Sequence, residues 1–341
     1  KAQWTATHGG TGWDGVTSVI QTPDGGYLAA GVTGGIEVNL PGREQAPGMG
    51  AVNEDQPGDI WLLKLDSGGN QVWARALGRA AGKFSAHFTA TPGGIILAAA
   101  AAYPDTPATD LWLIPLGPSG ETPPSPSQYG GRYPRAAAAV AAMPDGGAAF
   151  AAATRAPEPD KSDIIIYRLD SKGRELWTSI TGTQNLDQPT AVAPAPDGGL
   201  VVAGYSFTPA PGLADTGSQD FIIARLDASG KKLWTRTLPA QRDDRVAAIA
   251  VTGSGQILAA GATFTGTAGD ADLKIALLDS SGEPLWNIKT GTTRDDRITA
   301  VAAMPGGNGF LIAASTRMPE PAQSHDFWIF RLDANGKCIA P

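Results

Sequence analysis

The sequence predicts an all-β fold, a six-bladed β-propeller made of four-stranded antiparallel blades. Three observations predict it. One pattern recurs six times along the 341 residues, with a period of 51 to 57. Every copy holds short apolar, β-branched and aromatic runs separated by Gly- and Pro-rich turns, which is the signature of strands rather than helices. No copy is large enough to bury both faces of its own sheet, so adjacent modules must supply one another's core. Composition agrees, since Gly 44, Pro 27 and only 17% charged residues describe a turn-rich folded chain and not a coiled coil or a charged tail.

Each module reads in the same order. The first strand is an alternating segment such as Val16 to Thr22 or Ile298 to Met304, ending in a turn at Pro23-Asp24, Pro92-Gly93, Pro144-Asp145, Pro196-Asp197, Gly253-Ser254 or Pro305-Gly306. The second strand is the small apolar run that follows, as in Tyr27 to Gly31 or Leu200 to Gly204. The third opens on Asp59, Asp110, Asp163, Asp220, Asp272 or Asp326 and runs through bulky apolar residues to Leu-Asp. An Asp-x-x-Gly turn follows at Asp66, Asp170, Asp227, Asp279 and Asp333, where the Asp oxygen can accept backbone N–H groups and Gly can take positive φ. The fourth strand then carries Trp73, Trp177, Trp234 or Trp286. In the last module Ala340 stands at that position, and Trp4 at the start of the chain matches the missing strand. Residues 1–7 are therefore expected to complete the sixth blade and close the ring, with 1–341 as a single domain and residues 33–58 as a long loop of the first blade.

Charge, cysteine and hydropathy narrow the partners. A net charge of −7 without a basic stripe disfavours nucleic acid and anionic lipid. The single Cys338 permits no intrachain disulfide. Runs such as Ile95 to Ala102 are too short to span a bilayer, so no membrane insertion is expected. The chain starts at Lys1 rather than Met, which fits a removed signal peptide and a periplasmic, cell-surface or extracellular location.

The segment from Thr22 to Gly31, and the run from Asp59 through the Leu65-Asp66-x-x-Gly69-x-x-x-Trp73 motif, resemble the repeat of secreted bacterial and archaeal β-propeller proteins. The second motif is also similar to the blade motif of quinoprotein dehydrogenases. The resemblance spans essentially the whole chain and implies the propeller fold without implying a chemistry. The chain departs from the quinoprotein enzymes in its smaller number of modules and in having Cys338 alone where they carry a vicinal cysteine pair. That speaks against a bound quinone, and no cofactor is expected.

Alternation of strand direction puts the turns after the first and third strands at one end of each blade. The other connections, which carry all the length variation, lie at the opposite end, and function is expected there. The leading reading is a non-enzymatic propeller that binds a protein or glycan partner through this face, with Trp13, Tyr133, Arg242, Arg294 and Asp295 as contacts, since aromatics and arginines are the usual anchors of such surfaces. The alternative is an enzyme at a channel mouth, a hydrolase or lyase acting on a sugar or lactone. Its site would gather Asp14, Asp187, Asp244 and Asp296, and calcium is the hard cation such an oxygen set would take. Against it stands a structural role, in which these Asp side chains accept backbone N–H groups or pair with Arg242, Arg245, Arg294 and Arg297. His8, His87 and His325 fall in different modules, with no spacing that recommends a zinc site or a nucleophile–base pair.

Overall fold

A computed structural model describes residues 7–8, 14–33, 59–79, 86–91, 94–102, 109–117, 127–129, 134–154, 162–210, 213–239, 243–264, 271–292, 295–317 and 325–339. They form six four-stranded sheets. The first holds β1 (Asp14–Gln21), β2 (Tyr27–Thr33), β3 (Asp59–Leu65) and β4 (Gln71–Arg79). The second holds β5 (Ala86–Thr91), β6 (Gly94–Ala102), β7 (Thr109–Leu116) and β8 (Ser127–Tyr129). The third holds β9 (Pro134–Ala142), β10 (Ala148–Thr154), β11 (Ile164–Leu169) and β12 (Glu175–Thr181). The fourth holds β13 (Leu186–Pro194), β14 (Leu200–Ala210), β15 (Leu213–Leu226) and β16 (Lys232–Leu238). The fifth holds β17 (Asp244–Val251), β18 (Ile257–Phe264), β19 (Ala271–Leu278) and β20 (Pro284–Thr290). The sixth holds β21 (Asp296–Ala303), β22 (Phe310–Arg317), β23 (His325–Leu332) and β24 (Cys338–Ile339). Within each sheet the strands follow chain order, so each sheet is one sequence repeat. The chain divides into two compact units, Lys1–Arg155 with Arg168–Leu176, and Ala156–Tyr167 with Trp177–Pro341.

The closed six-bladed ring is corrected by this structure. Five sheets have a fourth strand of three residues or more, whereas the sixth has only the two residues of β24, paired as Arg331↔Ile339 and Leu332↔Cys338. That strand comes from the C-terminal segment; of the expected closing strand, residues 1–7, all but Thr7 lie outside the described residues. The outcome is a propeller of five complete blades and a sixth sheet that stops short. The reason is visible in side-chain exposure: Val201 and Ile223 of the fourth sheet are 0% exposed, while Leu311 and Ile329, at the matching places in the sixth, are 41% and 65% exposed.

Where sheets pack, the core has the composition the repeat demands. Val201, Ala203, Phe221 and Ile223 of the fourth sheet meet Val246, Ile257, Ala259, Ala276 and Leu278 of the fifth. Leu258, Leu273 and Ile275 of the fifth meet Ile298, Phe310, Ile312 and Leu332 of the sixth. Full burial of each large side chain contributes about 1.5–3 kcal/mol, so these faces hold neighbouring sheets together. The strand tryptophans add a latch. Trp177, Trp234 and Trp286 donate their indole N–H to Ala228 O (3.0 Å), Ser280 O (3.1 Å) and Ala334 O (2.8 Å) in the turn of the following sheet. Each ring lies over that turn's glycine, Gly230, Gly282 or Gly336, where a Cβ would meet it at 2.6, 2.9 and 3.0 Å. The same glycines have φ of 84°, 85° and 79°, so both backbone and contact require the residue.

A second recurring device sits at the turn after the first strand. Lys64, Arg168 and Arg225, each just before the Leu-Asp that ends a third strand, are buried and pair with Asp24, Asp145 and Asp197 of that turn. The Thr22 hydroxyl and then the Lys64 ammonium hold the Asp24 carboxyl down to about 2. Cation and turn carboxylate are exchanged together: the fifth sheet has Leu277 with Ser254, and the second has Pro115 with Gly93. The sixth keeps Arg331 without a turn Asp, and that arginine is exposed.

Candidate functional site

The connections that precede each first strand belong to the end of the blade where the sequence places function. Trp13, Tyr133, Arg242 and Arg294 lie outside the described residues. Asp14 opens β1 opposite Thr33, and its side chain is likewise outside them. Asp187, Asp244 and Asp296 are described, each is 0% exposed, and each opens or nearly opens the first strand of its own sheet.

Their commitments are local. Asp187 accepts the Thr183 backbone N–H at 2.5 Å and the Thr183 hydroxyl at 3.0 Å. Asp296 repeats the pattern with Thr292, at 2.5 Å from the N–H and 3.1 Å from the hydroxyl. The shared cause is a Thr-Gly-Thr connection, Thr181 to Thr183 and Thr290 to Thr292, whose glycine lets the backbone fold over the carboxylate. At Gly182 a Cβ would meet oxygens of both Asp163 and Asp187, and at Gly291 oxygens of both Asp272 and Asp296. The fifth sheet lacks the Thr-Gly-Thr, and there the Lys274 ammonium comes in from β19 to Asp244 and to Leu238 O. Asp244 Oδ1 is left without a hydrogen-bond partner. Among the described residues no three His, Cys, Asp or Glu side chains stand together as metal ligands.

Burial pushes the Asp187 carboxyl above the usual carboxylate range, opposed by the Thr183 N–H and reinforced by the Asp163 charge. A raised folded-state value means that the folded protein holds this proton more tightly than the unfolded chain. The contribution is therefore fully present below about pH 3.8 and is lost as pH rises through the folded value. Asp187→Asn does not titrate there, so the stability of the native protein minus that of the variant is expected to fall as pH rises from 3 to 7. Urea melts of both at several pH values check it, and a rising difference would refute the sign.

One feature at this end was not legible as a site in the sequence. Arg242 to Arg245 and Arg294 to Arg297 are the same tetrapeptide, Arg-Asp-Asp-Arg, yet their last arginines have different fates. In the sixth sheet Arg297 pairs with Asp295, at 3.0 Å from Nη2 and 3.1 Å from Nε, and Asp295 is buried. In the fifth, Asp243 instead accepts the Gln219 N–H at 3.0 Å, while its carbonyl accepts the Phe264 N–H at 2.8 Å. Arg245 is thereby released from its neighbour. Its guanidinium carbon stands 5.3 Å from the Tyr205 ring centroid and 5.5 Å from that of Phe264, and Nε donates to Gln219 Oε1. Arg245 is exposed and both rings are half-buried. The sign that could have found it is the pair of aromatics, Tyr205 and Phe264, on two successive second strands.

A scan of protein-family models and a search of curated proteins give no match for the chain. Solved structures do match. A Lactobacillus plantarum protein has a TM-score of 0.55 at 12% identity, over 95% of this chain and 83% of its own. Hydrazine synthase of Kuenenia stuttgartiensis gives 0.52 at 13% identity, over 92% and 80%. The Pan2 WD40 domain of Neurospora crassa gives 0.52 at 8%, over 95% and 84%. At such identities the likeness is one of fold, and it joins an enzyme and a WD40 domain, so it assigns no activity.

Proposed function

We propose that the chain is a non-enzymatic β-propeller of the cell envelope or exterior that binds a protein or glycan partner, a protein before a glycan, through the loop-bearing end of its blades. The observation that carries this reading is the contrast at that end. The buried carboxylates are tied to backbone N–H groups, to Lys274 or to Arg297, as parts of the fold, whereas the Arg245 guanidinium is held in place and faces out. Arginine framed by aromatics is the composition of interface anchors, not of acid–base pairs. Trp13, Tyr133, Arg242 and Arg294 belong to the proposed face by their place in the repeat, and Asp295, buried beneath Arg297, acts there by holding that arginine. The enzyme reading would rest on Asp14, Asp187, Asp244 and Asp296, and the full burial of Asp187, Asp244 and Asp296 weighs against a substrate reaching them.

The test is capture from an envelope extract of cells that produce the protein. The intact protein is compared with the triple variant Arg242→Ala, Arg294→Ala, Asp295→Ala, after both are shown to melt alike. A partner retained by the first and lost by the second is the expected result. Equal retention would move the interface elsewhere, and no retention by either would remove the binding reading.

A further inference from the structure

We propose that Arg245, braced by Tyr205, Phe264 and Gln219, is a receptor for a carboxylate on an acidic peptide segment of the partner. The proposal rests on the binding reading above and names the chemistry that one part of the face would recognise. Three constraints fix the guanidinium. The two rings bracket it by cation–π contacts at 5.3 and 5.5 Å. Gln219 takes its Nε, and Gln219 is itself anchored through its backbone N–H to Asp243. The two Nη groups make no hydrogen bond or ion pair among the described residues, and they are the donors that grip a planar two-oxygen anion side by side.

The surroundings select among anions. Asp220 follows Gln219 in the chain, Asp243 and Asp244 precede Arg245, and the chain carries −7 overall. That field disfavours a doubly charged phosphate more than a singly charged carboxylate, whose flat shape also matches the guanidinium. A peptide is favoured over an acidic sugar because one face of each ring is taken by the guanidinium and both rings are half-buried. That leaves less flat ring for the stacking a sugar uses, and an aliphatic side chain beside the carboxylate needs less of it. The twin arginine is the internal control, since Arg297 already holds a carboxylate, that of Asp295.

The experiment is fluorescence anisotropy on the full chain with a labelled octapeptide of alternating Glu and Leu, its Gln-for-Glu counterpart, labelled oligogalacturonate, and inorganic phosphate as competitor. The Glu peptide is expected to bind at least about ten times more tightly than the Gln peptide, and Arg245→Gln to lose about tenfold, which is about 1.4 kcal/mol. Arg297→Gln should change binding less than twofold, and millimolar phosphate should not displace the peptide. Melting temperatures of both variants are measured first, and Arg245→Lys serves as a second variant that keeps the charge but loses the fork. Equal binding by Arg245→Gln, or no binding of the Glu peptide, would overturn the proposal. Binding of oligogalacturonate but not peptide in an Arg245-dependent way would overturn the peptide assignment. A partner captured from extract by the Arg245→Gln protein at native strength would sink this site while leaving the binding reading intact. An Arg245-dependent peptide with no captured partner would do the reverse.

Discussion

Replacing Lys274 by Met is expected to remove about 3–5 kcal/mol of stability, the cost of leaving one charge of a buried pair alone. Lys274 and Asp244 are 8% and 0% exposed, so neither can turn to water if its partner is lost. Lys274 also lies 4.8 Å from the Phe221 ring centroid and donates to Leu238 O, so it bridges the fourth and fifth sheets at their shared edge. Asp244 already has one oxygen without a partner, and in the variant the second would join it. Methionine keeps the length of the side chain, which separates the electrostatic loss from a cavity. Combining Lys274→Met with Asp244→Leu should recover most of the loss, because an apolar pair of similar volume does not incur the desolvation cost. Urea melts of the two single variants and the double variant measure the coupling. Additive losses would mean that the two side chains stabilise the fold independently.

That pair also marks how far the sequence could be read. The six modules, their four strands and both families of turns follow directly from periods of two and the placement of Asp, Gly and Trp, because those signals are local. The latch from each tryptophan to the next sheet's turn is only half legible: the residue recurs, but its partner carbonyl lies about 50 positions away. Closure by residues 1–7 is an expectation from Ala340 standing where tryptophan recurs, and residues 1–6 lie outside the described residues. Pattern matching says which residues are alike and not which strands pair, and among the described residues the sixth sheet ends on Cys338–Ile339. Lys274 is the same lesson in one residue. It occupies a place held by Trp61, Trp112, Ile165, Ile222 and Trp328 in the other modules, so it reads as an odd member of an apolar set. Only the missing Thr-Gly-Thr before Asp244 explains why a cation is needed there. The candidate site is less legible still, since Arg245 and Arg297 end identical tetrapeptides and differ only in what Gln219 and Phe264 do to Asp243.

Gly182→Ala should be the next most damaging change, at about 3 kcal/mol, and it probes whether the carboxylate cradle is rigid. The added methyl would stand 2.6 Å from Asp163 Oδ1 and nearer still to Asp187 Oδ2. Asp187 is fully buried and its oxygen holds the Thr183 N–H, so that contact is not with the far end of a flexible chain. Moving that oxygen strips a buried N–H and a buried carboxylate of each other, a loss of about 1–3 kcal/mol in addition to about 1–3 kcal/mol for overpacking. Gly291→Ala meets the analogous oxygens of Asp272 and Asp296 at 2.7 and 2.8 Å. Both contacts are looser than those at Gly182, and Asp272 is paired with the half-exposed Lys289, so a smaller loss of about 1–2 kcal/mol is expected. Gly253→Ala, whose Cβ would meet nothing within 4 Å, should lie within about 0.5 kcal/mol of the parent. The order of the three in chemical denaturation is the test. If Gly182→Ala were as mild as Gly253→Ala, Asp163 and Asp187 would have to part easily, and the buried carboxylate would then be open to the proton exchange and ligand access that its packing now denies it.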